Sequence, residues 1–187
     1  MIFVSYYTVN TGYEKEYTHL EQSFKRFNLE YEIDAIQSQG DWFANCFYRA
    51  AFLKQKLLSH QRPVVWVDCD AIVKQYPEVL FSLDCDFACY IHTQKSKVKE
   101  LLGGTMFFNY TQNALKLLDL WQELVTNRDK NTKRFLDQWY LHCAVQILMK
   151  QGLKFFELPA VYCQIFDTMK DIGEPVIEHF QASRRVK

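Results

Sequence analysis

The chain has 187 residues, and its 22 lysines and arginines are balanced by 22 aspartates and glutamates, so the formal net charge is zero. A neutral surface sets up no global field toward nucleic acid or an anionic membrane, and no apolar run approaches the roughly 20 residues of a membrane span. Aromatic residues make up 16% of the sequence, which suits a cleft lined with flat faces as well as a bulky core.

The first strand is predicted over residues 2–7 and leads into a polar turn at Asn10-Thr11-Gly12. Residues 13–27 follow helical spacing, with Tyr17, Leu20, Phe24 and Phe27 on one face. Residues 29–36 alternate like a second strand and run into the loop Gln37-Ser38-Gln39-Gly40. Asp41 then caps a helix predicted over 42–59. An apolar run, Val64-Val65-Trp66-Val67, forms a third strand bounded by Pro63 and ending in Asp68-Cys69-Asp70. This β-α-β-α-β succession argues a mostly parallel sheet with crossover helices. The second half is less regular: a short helix over 77–83, a strand over 87–92, a polar lysine-rich loop over 93–100 and a strand over 104–108. Helices over 112–125 and 135–150 follow, and 154–157 and 176–180 read as short closing strands. No linker, repeat or low-complexity tract divides the chain, so a single domain over 1–187 is expected.

Ligands of open α/β sheets bind beyond the carboxyl ends of the strands, which is where Asp68 and Asp70 fall. Two carboxylates at i, i+2 on such an end suit a hard divalent cation that also touches substrate phosphates. There is neither a G-x-G-x-x-G nor a P-loop pattern, so phosphate has to be held by a metal and by side chains. A second Asp-x-Asp, Asp84-Cys85-Asp86, precedes a strand and is read as solvated turn carboxylates on the opposite edge. The six cysteines (46, 69, 85, 89, 143 and 163) show no paired or metal-ligand spacing and read as free thiols. With no basic n-region before the brief apolar start, a cytoplasmic protein is expected, in which the Asn109-Tyr110-Thr111 acceptor pattern has no use.

Five segments, spread over nearly the whole chain, resemble nucleotide-diphospho-sugar transferases of the GT-A fold, a Rossmann-like α/β architecture. The closest likeness is to retaining enzymes such as the family 8 galactosyltransferases and glycogenin-like proteins. Val4-Ser5-Tyr6-Tyr7-Thr8 resembles the opening strand whose end contacts the nucleotide, which implies a donor-binding role for Tyr7 and Thr8. The helix beginning at Trp42 carries Arg49 and Lys54 in the place of the basic residues before the D-x-D strand. Trp66-Val67-Asp68-Cys69-Asp70 and the apolar residues after it are similar to that D-x-D strand. Gly103-Gly104-Thr105-Met106-Phe107-Phe108-Asn109 looks like the small-residue turn and strand beside the donor sugar, implicating Gly103, Gly104 and Asn109. Leu136-Asp137-Gln138-Trp139 resembles the Asp-Gln pair near the anomeric carbon, which makes Asp137 and Gln138 the catalytic candidates. Val176-Ile177-Glu178-His179-Phe180, followed by Arg184, Arg185 and Lys187, resembles the C-terminal segment in which a His closes the metal shell. There a basic residue six positions later contacts the diphosphate, a spacing matched by His179 and Arg185.

The resemblance implies a metal site of Asp68, Asp70 and His179, holding Mn²⁺ (or Mg²⁺), with His favouring manganese. It implies transfer of a sugar from a nucleotide-diphospho-sugar, with a uridine nucleotide as the family default, to an acceptor hydroxyl with retention. The chain is short for the family, so the acceptor region is small and the acceptor (glycan, protein, lipid or nucleic acid) stays open. Lys95, Lys97 and Lys99 alternate along one loop and could track a phosphate backbone, but a solvated loop is the preferred reading. A nucleotidyltransferase, or a non-catalytic glycan- or nucleotide-binding domain of the same fold, are the alternatives. The tail beyond Phe180 lacks a core pattern and is expected to order only around nucleotide and metal.

Overall fold

The structure, a computed structural model, describes residues 1–93, 99–128 and 136–185. Lys95, Lys97, Phe135 and Lys187 lie outside the described residues. The strands of the main sheet are β1 (Ile2–Thr8), β2 (Tyr31–Ile36) and β3 (Val64–Val67), then β5 (Phe87–Thr93), β6 (Lys99–Phe108) and β7 (Phe155–Glu157). A small second sheet is built from β4 (Ala71–Val73), β8 (Gln164–Ile165) and β9 (Ile177–His179). The helices are α1 (Tyr13–Arg26), α2 (Trp42–Phe47), α3 (Arg49–His60), α4 (Glu78–Phe81), α5 (Gln112–Thr126) and α6 (Asp137–Met149).

The main sheet runs in the order β2-β1-β3-β6-β5-β7. Only β6 opposes the common direction: β1 is parallel to β2 and β3, β7 is parallel to β5, and β6 is antiparallel to both β3 and β5. The expected mostly parallel α/β sheet is therefore present, with one reversed strand beside the centre.

Alternation along the central strands sorts the core into two layers. Ile2, Val4, Tyr6, Val64 and Trp66 pack on one face with Phe52, Leu53 and Leu57 of α3, Leu117 and Trp121 of α5, and Leu141 of α6. Phe3, Val65, Val67 and Phe107 face the other way, onto Leu20 and Phe24 of α1 and onto Ala71, Val73 and Ile177 of the small sheet. Fully burying side chains of this size contributes about 1.5–3 kcal/mol each, so the layers fix where the strand ends lie. No helix among the described residues is long and apolar enough to cross a membrane.

Several boundaries differ from expectation. The helix read over 42–59 is interrupted at Tyr48, which separates α2 from α3, although Asp41 caps it as expected by accepting the Ala44 N–H at 2.8 Å. The strand read over 104–108 begins instead at Lys99, so Gly103 and Gly104 lie inside β6 and not in a turn before it. Opposite them the ladder jumps: Cys89 of β5 faces Met106, while the next residue, Tyr90, faces Leu102. Gly103, Gly104 and Thr105 thus form a bulge relative to β5, while Thr105 keeps its pairing with Val67 of β3. All six cysteines are free.

Candidate active site

β3 delivers its last side chains at the carboxyl edge of the sheet. The Asp68 N–H donates to Gly104 O at 2.9 Å, and the Ala71 N–H returns to Asp68 O at 3.0 Å, closing a tight turn that starts β4. β4 pairs antiparallel with β9 in a register that puts Ala71 opposite His179, and the Phe180 N–H donates to Asp70 O at 3.1 Å. This register carries the C-terminal histidine to the paired carboxylates. One ligand atom from each of Asp68, Asp70 and His179 lies within 4.8 Å of the others.

Each member is oriented by its neighbours. Asp68 Oδ1 accepts Trp66 Nε1 at 2.8 Å and Arg49 Nη1 at 3.1 Å. Asp70 Oδ2 accepts the Ala182 N–H at 2.6 Å. His179 is 1% exposed, with Nε2 2.9 Å from Thr105 Oγ1, while its buried Nδ1 has no hydrogen-bond partner. Burial pushes the Asp68 carboxyl up against the pull of Arg49, and pushes Asp70 up with help from the Asp68 charge. Burial lowers the His179 imidazole to about 4, so it is a neutral donor near pH 7. Two close carboxylates whose charge is disfavoured, beside an unpartnered neutral imidazole nitrogen, form a donor set that fits a divalent cation.

In front of this set opens a cavity of about 340 Å³. Tyr6, Tyr7, Thr8, Tyr13 and Trp42 line it together with Asp68 and Asp70, and Asp137 and Gln138 line it too. Tyr7 is stacked on Tyr17 with ring centroids 4.1 Å apart and planes 5° apart, so this part of the wall is rigid aromatic surface. Arg49, 9% exposed, spans the floor: its Nη1 also donates to Gly103 O at 2.6 Å, and its Nε lies 3.0 Å from Asp137 Oδ2. Burial opposes the arginine's charge, but Asp137 and Asp68 outweigh it and hold the guanidinium firmly protonated. Gln138 Nε2 donates to Glu100 Oε1 at 2.6 Å, which pins it beside Asp137.

No protein-family model and no curated protein matches the sequence. Solved structures do match by shape. A glycosyltransferase involved in the glycosylation of the major capsid of PBCV-1 superposes with a TM-score of 0.70 at 12% identity, over 96% of this chain and 92% of that one. The galactosyltransferase LgtC, solved with donor and acceptor sugar analogs, gives 0.62 at 10% identity over 97% and 87% of the two chains. The bifunctional glycosyltransferase WbbM gives 0.63 at 13% identity, over 97% of this chain but 45% of its own length. The fold is that of the GT-A glycosyltransferases.

Within this GT-A fold the residues read from sequence do not all converge. Tyr7, Thr8, Arg49, Asp68, Asp70, Asp137 and Gln138 line the one cavity, and His179 stands behind the carboxylates. Lys54 does not: it pairs with Asp119 of α5 on another face of α3. Five residues separate Arg49 from Lys54, about 140° around a helix, so both cannot face one site. Asn109 does not either. Because β6 is antiparallel, its C-terminal end lies at the far edge, where Asn109 Nδ2 donates to Cys85 O at 3.1 Å.

Gly103 and Gly104 back the site without lining it. A Cβ at Gly103 would lie 3.2 Å from Arg49 Nη1, and one at Gly104 would lie 2.8 Å from His179 Cε1, so these glycines make room for the two side chains. Arg184 and Arg185 sit in the last turn, paired with Asp167 at 2.5 Å and Glu16 at 3.2 Å. The tail packs onto the site: the Ala182 N–H donates to Asp70 and Ser183 lines the cavity.

Asp86 is also corrected: it is 6% exposed, not solvated, and accepts Thr111 Oγ1 at 2.7 Å, Asn113 Nδ2 at 3.1 Å and the Lys154 N–H at 2.8 Å. Sequence reading passed over Trp66, Thr105, Tyr13 and Trp42. Trp66 was accessible to it, because residues i and i+2 share a strand face and its Nε1 could reach Asp68. The others are set by tertiary packing.

Proposed function

We propose that this protein is a metal-dependent glycosyltransferase that moves a sugar from a nucleotide-diphospho-sugar to an acceptor hydroxyl with retention of anomeric configuration. The observation that carries the reading is the convergence of Asp68, Asp70 and His179 to within 4.8 Å beside a cavity that also holds Asp137 and Gln138. Asp68, Asp70 and His179 would hold the ion, and the imidazole among them favours Mn²⁺ over Mg²⁺. When bound, such an ion supplies positive charge against the leaving diphosphate.

The chain's own residues do the rest. Arg184 and Arg185 exchange their carboxylate partners, Asp167 and Glu16, for diphosphate oxygens. The aromatic wall from Tyr6 to Trp42 takes the base and excludes water from the sugar. Arg49 holds Asp68 through Nη1 and Asp137 through Nε. Asp137 and Gln138 orient the sugar, and the departing phosphate oxygen accepts the acceptor's proton, so no isolated carboxylate base is needed. The family default makes the donor a uridine diphosphate sugar.

A thermal-shift panel of nucleotide sugars with and without Mn²⁺ tests the reading, because a ligand that binds only the native state raises its melting temperature by mass action. A Mn²⁺-dependent rise with one class of nucleotide sugar, accompanied by slow release of free sugar, is expected. No rise with any nucleotide sugar in the presence of Mn²⁺ overturns it.

A further inference from the structure

Thr105 is fully buried, and its hydroxyl is 2.9 Å from His179 Nε2. The other ring nitrogen, Nδ1, is buried without a hydrogen-bond partner. Only one of two proton arrangements is economical. If the threonine hydroxyl donated to Nε2, the neutral ring would carry its hydrogen on Nδ1, and a buried N–H donor would have no acceptor. If Nε2–H donates to Oγ1, Nδ1 is a bare lone pair, and a cation can satisfy it.

The β3–β6 ladder brings Gly104 to the edge of the ring that carries that lone pair. Val67 pairs with Thr105, and the Asp68 N–H continues the ladder onto Gly104 O. Gly104 lies in the bulge beside Thr105, where even the Cβ of any other residue would meet the ring. Such a Cβ would be 2.9 Å from His179 Nδ1 and 2.8 Å from Cε1. The Nδ1–Cε1 edge of the ring therefore packs against residue 104, which is glycine where any side chain would cover that edge.

We propose that Thr105 is a positioning residue of the metal centre: it takes the Nε2–H of His179, fixes the ring, and leaves Nδ1 as the nitrogen that meets the ion. The inference rests on the metal-dependent reading above and adds to it which nitrogen is used and what orients it. Histidine ligands to metals in general donate their second N–H to such a partner, and losing the partner weakens metal binding about 10–100-fold.

The test uses the whole chain, with two readouts. Long-range ¹H–¹⁵N spectra of metal-free protein report the tautomer of His179, its signals assigned by comparison with His179→Gln. The Nε2–H form is expected, and the Nδ1–H form overturns the proposal even if no Thr105 variant folds. Calorimetric titration with Mn²⁺ alone then compares wild type, Thr105→Val and Thr105→Ser. Valine, close to threonine in shape but without the hydroxyl, is expected to bind Mn²⁺ about 10–100-fold more weakly, and serine to restore binding to within about threefold. Equal Mn²⁺ affinity in wild type and Thr105→Val overturns the role of Thr105 and leaves the metal reading intact. A wild-type protein that binds no Mn²⁺ at all overturns the metal reading, and the role of Thr105 falls with it.

Discussion

Arg49 Nε lies 3.0 Å from Asp137 Oδ2 in a place where both side chains are almost fully enclosed, at 11% and 4% exposure. The same guanidinium reaches the half-buried Asp68 at 3.1 Å, so one cation compensates two carboxylates from different elements, of which Asp137 is buried. Breaking a buried pair by removing one partner leaves an uncompensated charge, which costs about 3–5 kcal/mol. Arg49→Met is therefore expected to lose about that much stability in urea unfolding, and adding Asp137→Asn should return part of it. A loss below about 1 kcal/mol in the single variant would show that water reaches these carboxylates.

Asp70 behaves differently because the charge that acts on it most strongly, that of Asp68, repels it. Burial and the Asp68 charge both raise its carboxyl above the ordinary range. Asp70→Asn removes that repulsion and keeps an oxygen for the Ala182 N–H. The metal-free variant should melt no lower than wild type, while Mn²⁺-dependent donor binding and turnover disappear. Full activity in the folded variant would rule out the metal assignment.

Asp86 is a stability residue on the far edge of the sheet. Burial raises its carboxyl, but the Lys154 N–H, Thr111 and Asn113 outweigh burial and hold it below the usual range. A carboxyl depressed in the native state binds fewer protons there than in the unfolded chain. Its stabilisation is present above the unfolded value of about 4 and is lost as pH falls through the lower native value. Asp86→Asn should cost about 1–3 kcal/mol at pH 7, and its deficit against wild type should shrink toward pH 3. Donor and Mn²⁺ binding should not change. Chemical denaturation across that pH range provides the check, and a constant deficit would contradict it.

The ion pairs of the last turn are exposed. Exposed pairs contribute about 0–1 kcal/mol, so replacing Arg184 and Arg185 together by alanine should shift stability by less than about 1 kcal/mol. Calorimetric titration with a nucleotide diphosphate and Mn²⁺ should show a loss of about 1–3 kcal/mol, the scale of charge-assisted hydrogen bonds, and a shallower salt dependence. Unchanged affinity would remove both arginines from the donor site.

Residue order alone determined the apolar run that ends in Asp68 and Asp70, the capping of the helix by Asp41, and the β-α-β-α-β start that places those carboxylates at a strand end. These are local properties: hydrophobic period, cap chemistry and strand length are written in contiguous residues. Only the tertiary structure decided strand direction and the pairing of distant segments. The run Gly104 to Phe108 reads the same in either direction, but β6 is antiparallel, so Asn109 falls at the far edge and the glycines fall against Arg49 and His179. The second Asp-x-Asp was read as solvated because it precedes a strand and so falls on the edge opposite the ligand crevice. Thr111, Asn113 and Lys154 reach Asp86 only after β5, α5 and β7 come together. His179 meets Asp70 through the β4–β9 register, and that register is selected by burying Ala71, Val73 and Ile177 in one layer. Hydrophobic pattern thus sets which elements form, whereas strand order and register, fixed by burial of faces that are far apart in the chain, decide which side chains meet.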